Sequence, residues 1–488
     1  MTPLVKVGGL GDAVLALTKA LAKLGLNISV ILPRYEFIDK KELQLVAEGI
    51  LVTIGNKKEK VSLYKKFLPD SGIEVFFVEN NDYLSRGPAP YFEQTAFVGA
   101  KREIQRFVFF SKAVFELLKT GALRAPDIIH CNDWHTGALA ALLARKNAEF
   151  HAEQRRKIPR QSASSLRNSA IRPKVVFTIH NLSNQGKWNS AEINNWFLAK
   201  GKKSPFRKFG TNYNFIAEGI LNADWLTTVS PTYAKEILTK KYGAGLEKIL
   251  KTRAKNLTGI LNGIDYEFYN PADDKRIFQN YSAKTIDLKT ANKIALQNLF
   301  DLRQSKTIPL FGLVARLTDQ KGIDFIIKTL PEFLKENKTQ FVFLGRGLKK
   351  YEDALVKFAK KWPERIYTKI GFDEKLAHRI YAASDFFLMP SRFEPSGLGQ
   401  MISMRYGTIP IVRNTGGLHD TVKHLKTGFV FKNETVKDFQ RILELAINYF
   451  TRQPEKIKAI QKNCLRENFD FSRSAKEYAD FYKKLLRE

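Results

Sequence analysis

Residues Met389–Val422 read MPSRFEPSGLGQMISMRYGTIPIVRNTGGLHDTV, and this stretch decides the fold. The apolar run Phe386–Met389 stops at Pro390 and opens into a Pro- and Gly-rich loop carrying Glu394. A helical stretch follows, then a second apolar run, Ile409–Val412, and then Thr415-Gly416-Gly417. Strand, loop, helix and strand make a βαβ unit, whose parallel strands point their carboxyl ends the same way. A carboxylate and a glycine turn are therefore aimed at one edge, where open α/β sheets bind ligands. The glycine pair can offer backbone N–H groups to phosphate. Glu394 can stand against developing positive charge; taken alone, it can equally cap the helix that follows.

The same alternation extends both ways along the chain. Buried strands are expected at Ile28–Leu32, Val75–Val78, Ile128–His130, Val175–His180, Trp225–Val229 and Thr258–Leu261, with a second series at Pro309–Val314, Gln340–Leu344, Ile366–Ile370, Phe386–Met389 and Ile409–Val412. Helical periodicity marks Gly11–Leu24, Lys101–Lys119 and Gly322–Lys335. Between the two series lies a polar segment, Asp273–Ser305, with one helix at Thr290–Phe300. A chain of 488 residues exceeds one ordinary core. We place an N-terminal Rossmann-like domain at 1–262, a connecting region at 263–307, a C-terminal Rossmann-like domain at 308–470 and a terminal helix within 471–488.

Lys plus Arg number 80 against 49 acidic residues, a net charge of +31. Such a field attracts polyanions, nucleic acid first. The lysines are spread along the chain (Lys57–Lys66, Lys202–Lys208, Lys349–Lys361) without an RNA-binding signature or a helix-turn-helix pattern. We read them as solvated surface charge. Two cysteines are too few for a disulfide framework or zinc cluster. No apolar run has the roughly 18 residues of a membrane helix. These features point to the cytoplasm. Residues 147–174 are basic, Ser-rich and poor in apolar side chains, as an exposed loop would be.

Other strand ends also carry polar groups. KVGGLGD (Lys6–Asp12) leads into a helix; its glycines allow close backbone approach, Lys6 can pair with phosphate and Asp12 can hold sugar hydroxyls. Only five residues, Pro3 among them, precede it, so the N-terminal domain is expected to lack its first strand. IIHCNDWH (Ile128–His135) and VVFTIHN (Val175–Asn181) set Asp133, and His180 with Asn181, just past apolar runs. Metal ligation by His130, Asp133 and His135 competes for the first segment, although no further ligand set accompanies them. In LVARLTDQKG (Leu313–Gly322), Arg316 and Lys321 lie five residues apart across a turn. Both cations can converge on one pyrophosphate, the arginine bidentately and the lysine as a point charge.

Together these segments resemble the bacterial glycogen synthase and starch synthase family of retaining glycosyltransferases. The resemblance runs from Lys6 to about Val430 and covers, in order, KVGGLGD, DWHTG, VFTIHNL, ADWLTTVSPTYAKEI, GILNGIDYEFYNP, ARLTDQKG, SRFEPSGL and RYGTIPIVRNTGGLHDTV. It implies an α/β fold of the GT-B type, two Rossmann-like domains facing a cleft, with the terminal helix returning to the N-terminal domain. It implies ADP-glucose as donor, held mainly by the C-terminal domain, and an α-1,4-glucan (glycogen or a maltooligosaccharide) as acceptor, with no metal or other cofactor. Carried over by motif, Arg316 and Lys321 hold the distal phosphate, and Thr415, Gly416 and Gly417 contribute to the diphosphate and sugar site. Lys6, Gly8 and Gly9 close over the donor. His180 contacts the glucose near its reacting carbon, while Asp133 and Asn214 line the cleft. Glu394 matches the family's essential acidic residue. Retention without an evident nucleophile implies front-face attack through an oxocarbenium-like state, with the departing diphosphate taking the acceptor's proton.

The chain departs from the family at several points. Ser396 stands where many relatives have Cys, and Ser183-Asn184 replaces an aromatic-containing stretch. Asn214-Phe215-Ile216-Ala217 lacks a lysine that relatives often carry. Ile402 occupies the place of a second Glu found in sucrose- and mannosyl-transferring cousins but absent from this family. Two other readings compete: a related transferase with another donor, and an inactive glucan- or polyanion-binding relative.

Overall fold

The computed structural model describes residues 8–69, 71–85, 101–145 and 173–487 of the chain. Lys6, the strand expected to be missing and the basic loop at 147–172 lie outside these residues. One unit comprises residues up to Val229, Ala234–Ile260 and the segment from Ser474 onward; the other comprises Ser230–Tyr233 and Leu261–Arg473.

The first unit opens with a helix at Gly8–Lys23. Gly8, Gly9 and Gly11 are thus helical and do not form the expected preceding turn. The first turn tolerates them because its N–H groups have no intrahelical partners to lose. Strands β1 (Ser29–Pro33), β2 (Gln44–Ile54), β3 (Lys57–Phe67) and β4 (Glu74–Glu79) form one sheet in the order β1-β4-β3-β2. Its β1–β4 pair is parallel and the other two are antiparallel. The β2–β3 hairpin was not anticipated. Its two-residue Gly55-Asn56 turn, with Gly55 at φ 59°, is a hairpin signal. Val61 and Leu63 point inward while Lys57, Lys58 and Lys60 stay exposed, so part of the apparently scattered lysine charge is the wet face of a strand.

The unit's parallel sheet is built from β5 (Ile128–Asn132), β6 (Lys174–Ile179), β9 (Trp225–Thr228) and β10 (Leu257–Gly259), in the order β10-β9-β6-β5. A short antiparallel pair, β7 (Lys187–Asn189) and β8 (Asn212–Asn214), flanks it in sequence. The last helix, Phe471–Arg487, packs Ala475, Tyr478 and Ala479 against Leu21 and Ile260 of this unit.

The second unit holds six parallel strands: β11 (Leu310–Val314), β12 (Gln340–Gly345), β13 (Ile366–Ile370), β14 (Phe386–Met389), β15 (Ile409–Arg413) and β16 (Phe429–Phe431). Their order is β13-β12-β11-β14-β15-β16, the doubly wound arrangement in which strand order reverses between the first and fourth strands. Phe311, Phe341 and Phe386 stack at the sheet's centre with ring centroids 4.9 and 5.1 Å apart.

Residues 263–307, expected to be a connecting region, belong to this second unit. Their polarity misleads because much of it is buried and satisfied. In the helix Lys289–Leu299, Lys289 donates to the carbonyl of Ala382 and the hydroxyl of Thr408, at 2.6 and 2.7 Å. One turn on, buried Lys293 pairs with Asp385 at 2.7 Å, and Asp385 also accepts the N–H of Leu310 on the central strand. Asp274 accepts from Tyr406 at 2.6 Å and meets His378 at the same distance. Among the described residues no helix is long and apolar enough to cross a membrane.

Removing one partner of a buried pair leaves a charge stranded, at a cost of about 3–5 kcal/mol, whereas an exposed pair contributes about 1 kcal/mol or less. Lys293→Ala is therefore expected to lower the unfolding free energy by that larger amount, and Lys335→Ala, which breaks the exposed pair with Glu332, to leave it nearly unchanged. Urea denaturation of both variants checks the difference.

Candidate active site

The loops after β11 and β14 meet where the strand order reverses, and they carry Lys321 and Glu394. The Lys321 ammonium lies 2.5 Å from Glu394 Oε2, with Lys321 18% and Glu394 7% exposed at the side chain. Buried Ser391 donates its hydroxyl to the same carboxylate oxygen at 3.0 Å. Glu394 therefore does not cap the following helix, Gly399–Arg405, whose N-cap position, Leu398, makes no side-chain cap bond.

Backbone bonds clamp the two loops together. Arg392 N–H donates to the Gln320 carbonyl at 2.8 Å, and the Gln320 amide returns a bond to Phe393 O at 3.3 Å. Buried Arg413, at the end of β15, donates to the carbonyls of Ser391 and Arg392. Gly322 sits at φ 67°, and a Cβ there would come 2.1 Å from Pro390 O, so only glycine lets the loops close to this distance.

Thr415, Gly416 and Gly417 pack onto the Glu394 loop. The Gly417 N–H donates to Glu394 O at 3.0 Å, and a Cβ on Gly417 would meet Ser396 O at 2.1 Å. That amide is thus committed to fixing Glu394 rather than open to phosphate. Thr415 is 1% exposed. Arg316 shares the loop of Lys321 but is exposed, and its guanidinium has no hydrogen bond or ion pair among the described residues. At a strand-order reversal, an unpaired arginine beside a lysine–carboxylate pair suits a diphosphate ligand.

Sequence reasoning missed two residues of this edge. Ser391 carries no distinguishing signal in a loop rich in small residues. Phe372 follows β13 at the carboxyl edge of the same sheet, behind Gly371 at φ 139°, and is 78% exposed. An aromatic residue directly after an apolar run was the available clue.

In the first unit, Asp133 and His180 meet at the ends of β5 and β6. Asp133 takes a left-handed backbone conformation, φ 54° and ψ −174°, unusual for a residue with a side chain. Its Oδ1 accepts the N–H groups of His180 and Asn181 at 2.8 and 3.4 Å. Burial pushes its pKa up to about 7 against the opposing pull of those two bonds. His180 Nε2 lies 2.9 Å from Asn132 Oδ1. Burial drives His180 down to about 3, helped by the neighbouring His130 and His135, so its imidazole is neutral. The Asn181 side chain accepts from Ser183 N–H and its hydroxyl. Asn214 is 1% exposed; its oxygen caps the helix Phe215–Asn222 at Ala217 N and its amide reaches Gln185. Its polar atoms thus serve the fold. Asp12 is half-buried on the first helix.

The metal reading finds no support in this geometry. Among the described residues no three His, Cys, Asp or Glu side chains form a group able to hold an ion. The nitrogens of His130 face hydroxyls of Tyr482 and Thr178 at 2.6 and 2.5 Å.

Comparison with known proteins agrees with these two units. Residues 1–158 and 161–252 match the starch synthase catalytic domain family, and residues 297–463 match glycosyl transferases group 1. A glycogen synthase from Thermotoga petrophila is 38% identical, covering 99% of this chain and 97% of its own length. One from Clostridium novyi is 37% identical over 100% of this chain and 98% of its own. Among solved structures, the catalytic domain of starch synthase IV from Arabidopsis thaliana, bound to ADP and acarbose, superposes with a TM-score of 0.84 at 31% identity, covering 100% of this chain and 98% of that one.

The half-buried histidines make the first unit acid-sensitive. His130, His135 and His180 are held at about 4, 3 and 3 by burial, below their ordinary 6.5, so each takes up a proton on unfolding in the window between. The stability they contribute is present above pH 6.5 and is lost as pH falls. Asp133, at about 7 folded against 3.8, releases one proton on unfolding and offsets one histidine. Glu103 and Glu218, also raised by burial, offset a further part; with at most two protons taken up, the unfolding free energy should fall by up to about 2–3 kcal/mol per pH unit between about pH 6 and 5. Urea unfolding across that range is the check, and a flat profile would mean that the imidazoles are not held neutral.

Proposed function

Because this chain belongs to the glycogen synthase and starch synthase family of glycosyltransferases, we propose that it transfers glucose from ADP-glucose to the non-reducing end of an α-1,4-glucan, with retention of configuration. The observation that carries this reading is the Lys321–Glu394 pair at the strand-order reversal, with Arg316, unpaired among the described residues, on the loop of Lys321. The Arabidopsis enzyme of the same family, bound to ADP and acarbose, supports the choice of nucleotide and of an oligosaccharide ligand.

The donor brings two phosphates to an edge that already holds two cations. Lys321 and Arg316 meet that charge, so the reaction as proposed calls on no metal or other cofactor. As the bond from the glucose C1 to the phosphate oxygen stretches, positive charge grows on the sugar and negative charge on the leaving diphosphate. Glu394, released from Lys321 by the phosphate, faces the first of these; the cations hold the second. The acceptor's 4-hydroxyl attacks C1 on the face that the diphosphate leaves, and a departing phosphate oxygen takes its proton. One C–O bond breaks, one forms, and no enzyme nucleophile is needed. Phe372 offers a flat apolar face for the nucleotide base at the same sheet edge. Two buried, unpaired cysteines, Cys131 and Cys464, suit a reducing compartment, which we take to be the cytoplasm.

Glu394→Ala should reduce glucose transfer by on the order of 10²–10³-fold while leaving ADP affinity nearly unchanged, because its charge acts in the transition state. Loss of ADP binding together with activity would assign it a structural role. Lys321→Ala and Phe372→Ala should each weaken ADP binding by about tenfold or more, through a lost charged hydrogen bond and a lost stacking face. Calorimetric titration with ADP, and incorporation assays with ADP-, UDP- and GDP-glucose, test the set; equal rates with all three donors would contradict the assignment of ADP-glucose.

A further inference from the structure

Asn132 closes β5 directly before Asp133, and hydrogen bonding fixes which way its amide points. Its Nδ2 donates to the carbonyl of His130 at 3.3 Å, which leaves Oδ1 facing His180 Nε2 at 2.9 Å. An amide oxygen can only accept, so the imidazole hydrogen sits on Nε2 and Nδ1 is left with a lone pair. The backbone that carries the ring is itself held, since His180 N–H donates to Asp133 Oδ1 at 2.8 Å.

A second tier supports the first. The ring of His130, on the same strand as Asn132, is bridged between Tyr482 OH at 2.6 Å and Thr178 Oγ1 at 2.5 Å. The carbonyl of Thr178 accepts the Asp133 N–H at 2.9 Å. Tyr482 belongs to the last helix, whose Tyr478 ring also lies against His130, 5.7 Å between centroids. The terminal helix, β5 and β6 therefore share one hydrogen-bonded chain that ends on His180.

We propose that Asn132 is a positioning residue that fixes His180 as its Nε2–H tautomer, so that Nδ1 accepts a hydrogen bond from a hydroxyl of the sugar substrate. Asn132 touches no reacting atom; it acts through His180. His180 is in consequence neither a proton donor to the leaving group nor a cation in the ground state, in keeping with its neutral imidazole. The identity of the substrate hydroxyl rests on the glucosyl-transfer reading, whereas the tautomer does not.

The two parts are separated by using two readouts. The chain has seven histidines, so ¹⁵N-histidine labelling of the full-length protein gives a spectrum in which His180 is assigned by its loss in His180→Gln. In the unliganded wild type, His180 is expected with Nε2 protonated and Nδ1 bare. Asn132→Ala should give a mixture of tautomers and lower kcat on the order of tenfold, with ADP affinity and melting temperature close to wild type. A wild-type spectrum with the proton on Nδ1 overturns the proposal even if the variant does not fold. So does an Asn132→Ala enzyme whose kcat stays within about twofold of wild type. If the wild type transfers glucose from no nucleotide sugar, the functional reading falls, and the tautomer is still decided by the spectrum.

Discussion

An ammonium and a carboxylate lie 2.5 Å apart on two loops that are joined only because the strand order of their sheet reverses between them. In a sheet of consecutive parallel strands, neighbouring crossover helices would lie on one face and cover the strand ends. At the reversal the helices go to opposite faces and leave a crevice, into which the loops after β11 and β14 must turn. Their close approach depends on Gly322 and Gly417, and Arg413 stitches the second loop from below. The pair is partly dehydrated, so neither charge can be left alone without cost. Lys321 can therefore leave Glu394 only for another anion, and Glu394 can release Lys321 only for another positive charge. A diphosphate sugar supplies both, the phosphates first and the electron-poor C1 when its bond stretches. On the proposed function, the resting contact would couple donor binding to exposure of the carboxylate.

The polar groups at the strand ends of the first unit are organised on the opposite principle. His130, His135 and His180 are uncharged, and the Asp133 carboxyl is pushed up to about 7 by burial. An arrangement of uncharged imidazoles around a partly ionised carboxyl suits hydroxyls, whose hydrogen bonds are directional and carry no net charge. It would hold a diphosphate poorly. The two units therefore carry different chemistry at their strand ends: a charged pair in the second, oriented hydrogen-bonding groups in the first. The strained backbone of Asp133 fits this division, since that conformation lets one carboxylate oxygen collect the N–H groups of two successive residues just past the end of the neighbouring strand.

How much of this could be read from the residues depended on whether a local pattern or a distant partner set the outcome. The parallel strands were legible because buried strands of an α/β sheet are continuous apolar runs, such as Phe386–Met389 and Ile409–Arg413. Glu394 and Lys321 were legible as polar residues at the ends of such runs, but their contact spans 73 residues and no spacing rule reports it. The β2–β3 hairpin escaped because its lysines were read only as solvated surface charge, although Val61 and Leu63 alternate with polar residues as a half-buried strand requires. Residues 263–307 escaped for a related reason. Lys289 and Lys293 look like surface residues, and partners such as Ala382, Thr408 and Asp385, about a hundred positions away, make their burial tolerable. Asn214 stands in a family-like motif, yet the geometry spends its side chain on a helix cap.

The terminal helix carries this dependence on distant partners furthest. Its Tyr482 meets His130 across 352 positions of sequence, and its Ala475 and Tyr478 complete an apolar cluster with Leu21 and Ile260. Loop closure over such distances costs entropy that local contacts do not recover. Without Tyr482, one nitrogen of His130 loses its partner, and the strand end that carries Asn132 and Asp133 loses that support. Residues 474–487 therefore complete the support of the strand end from which Asn132 reaches His180.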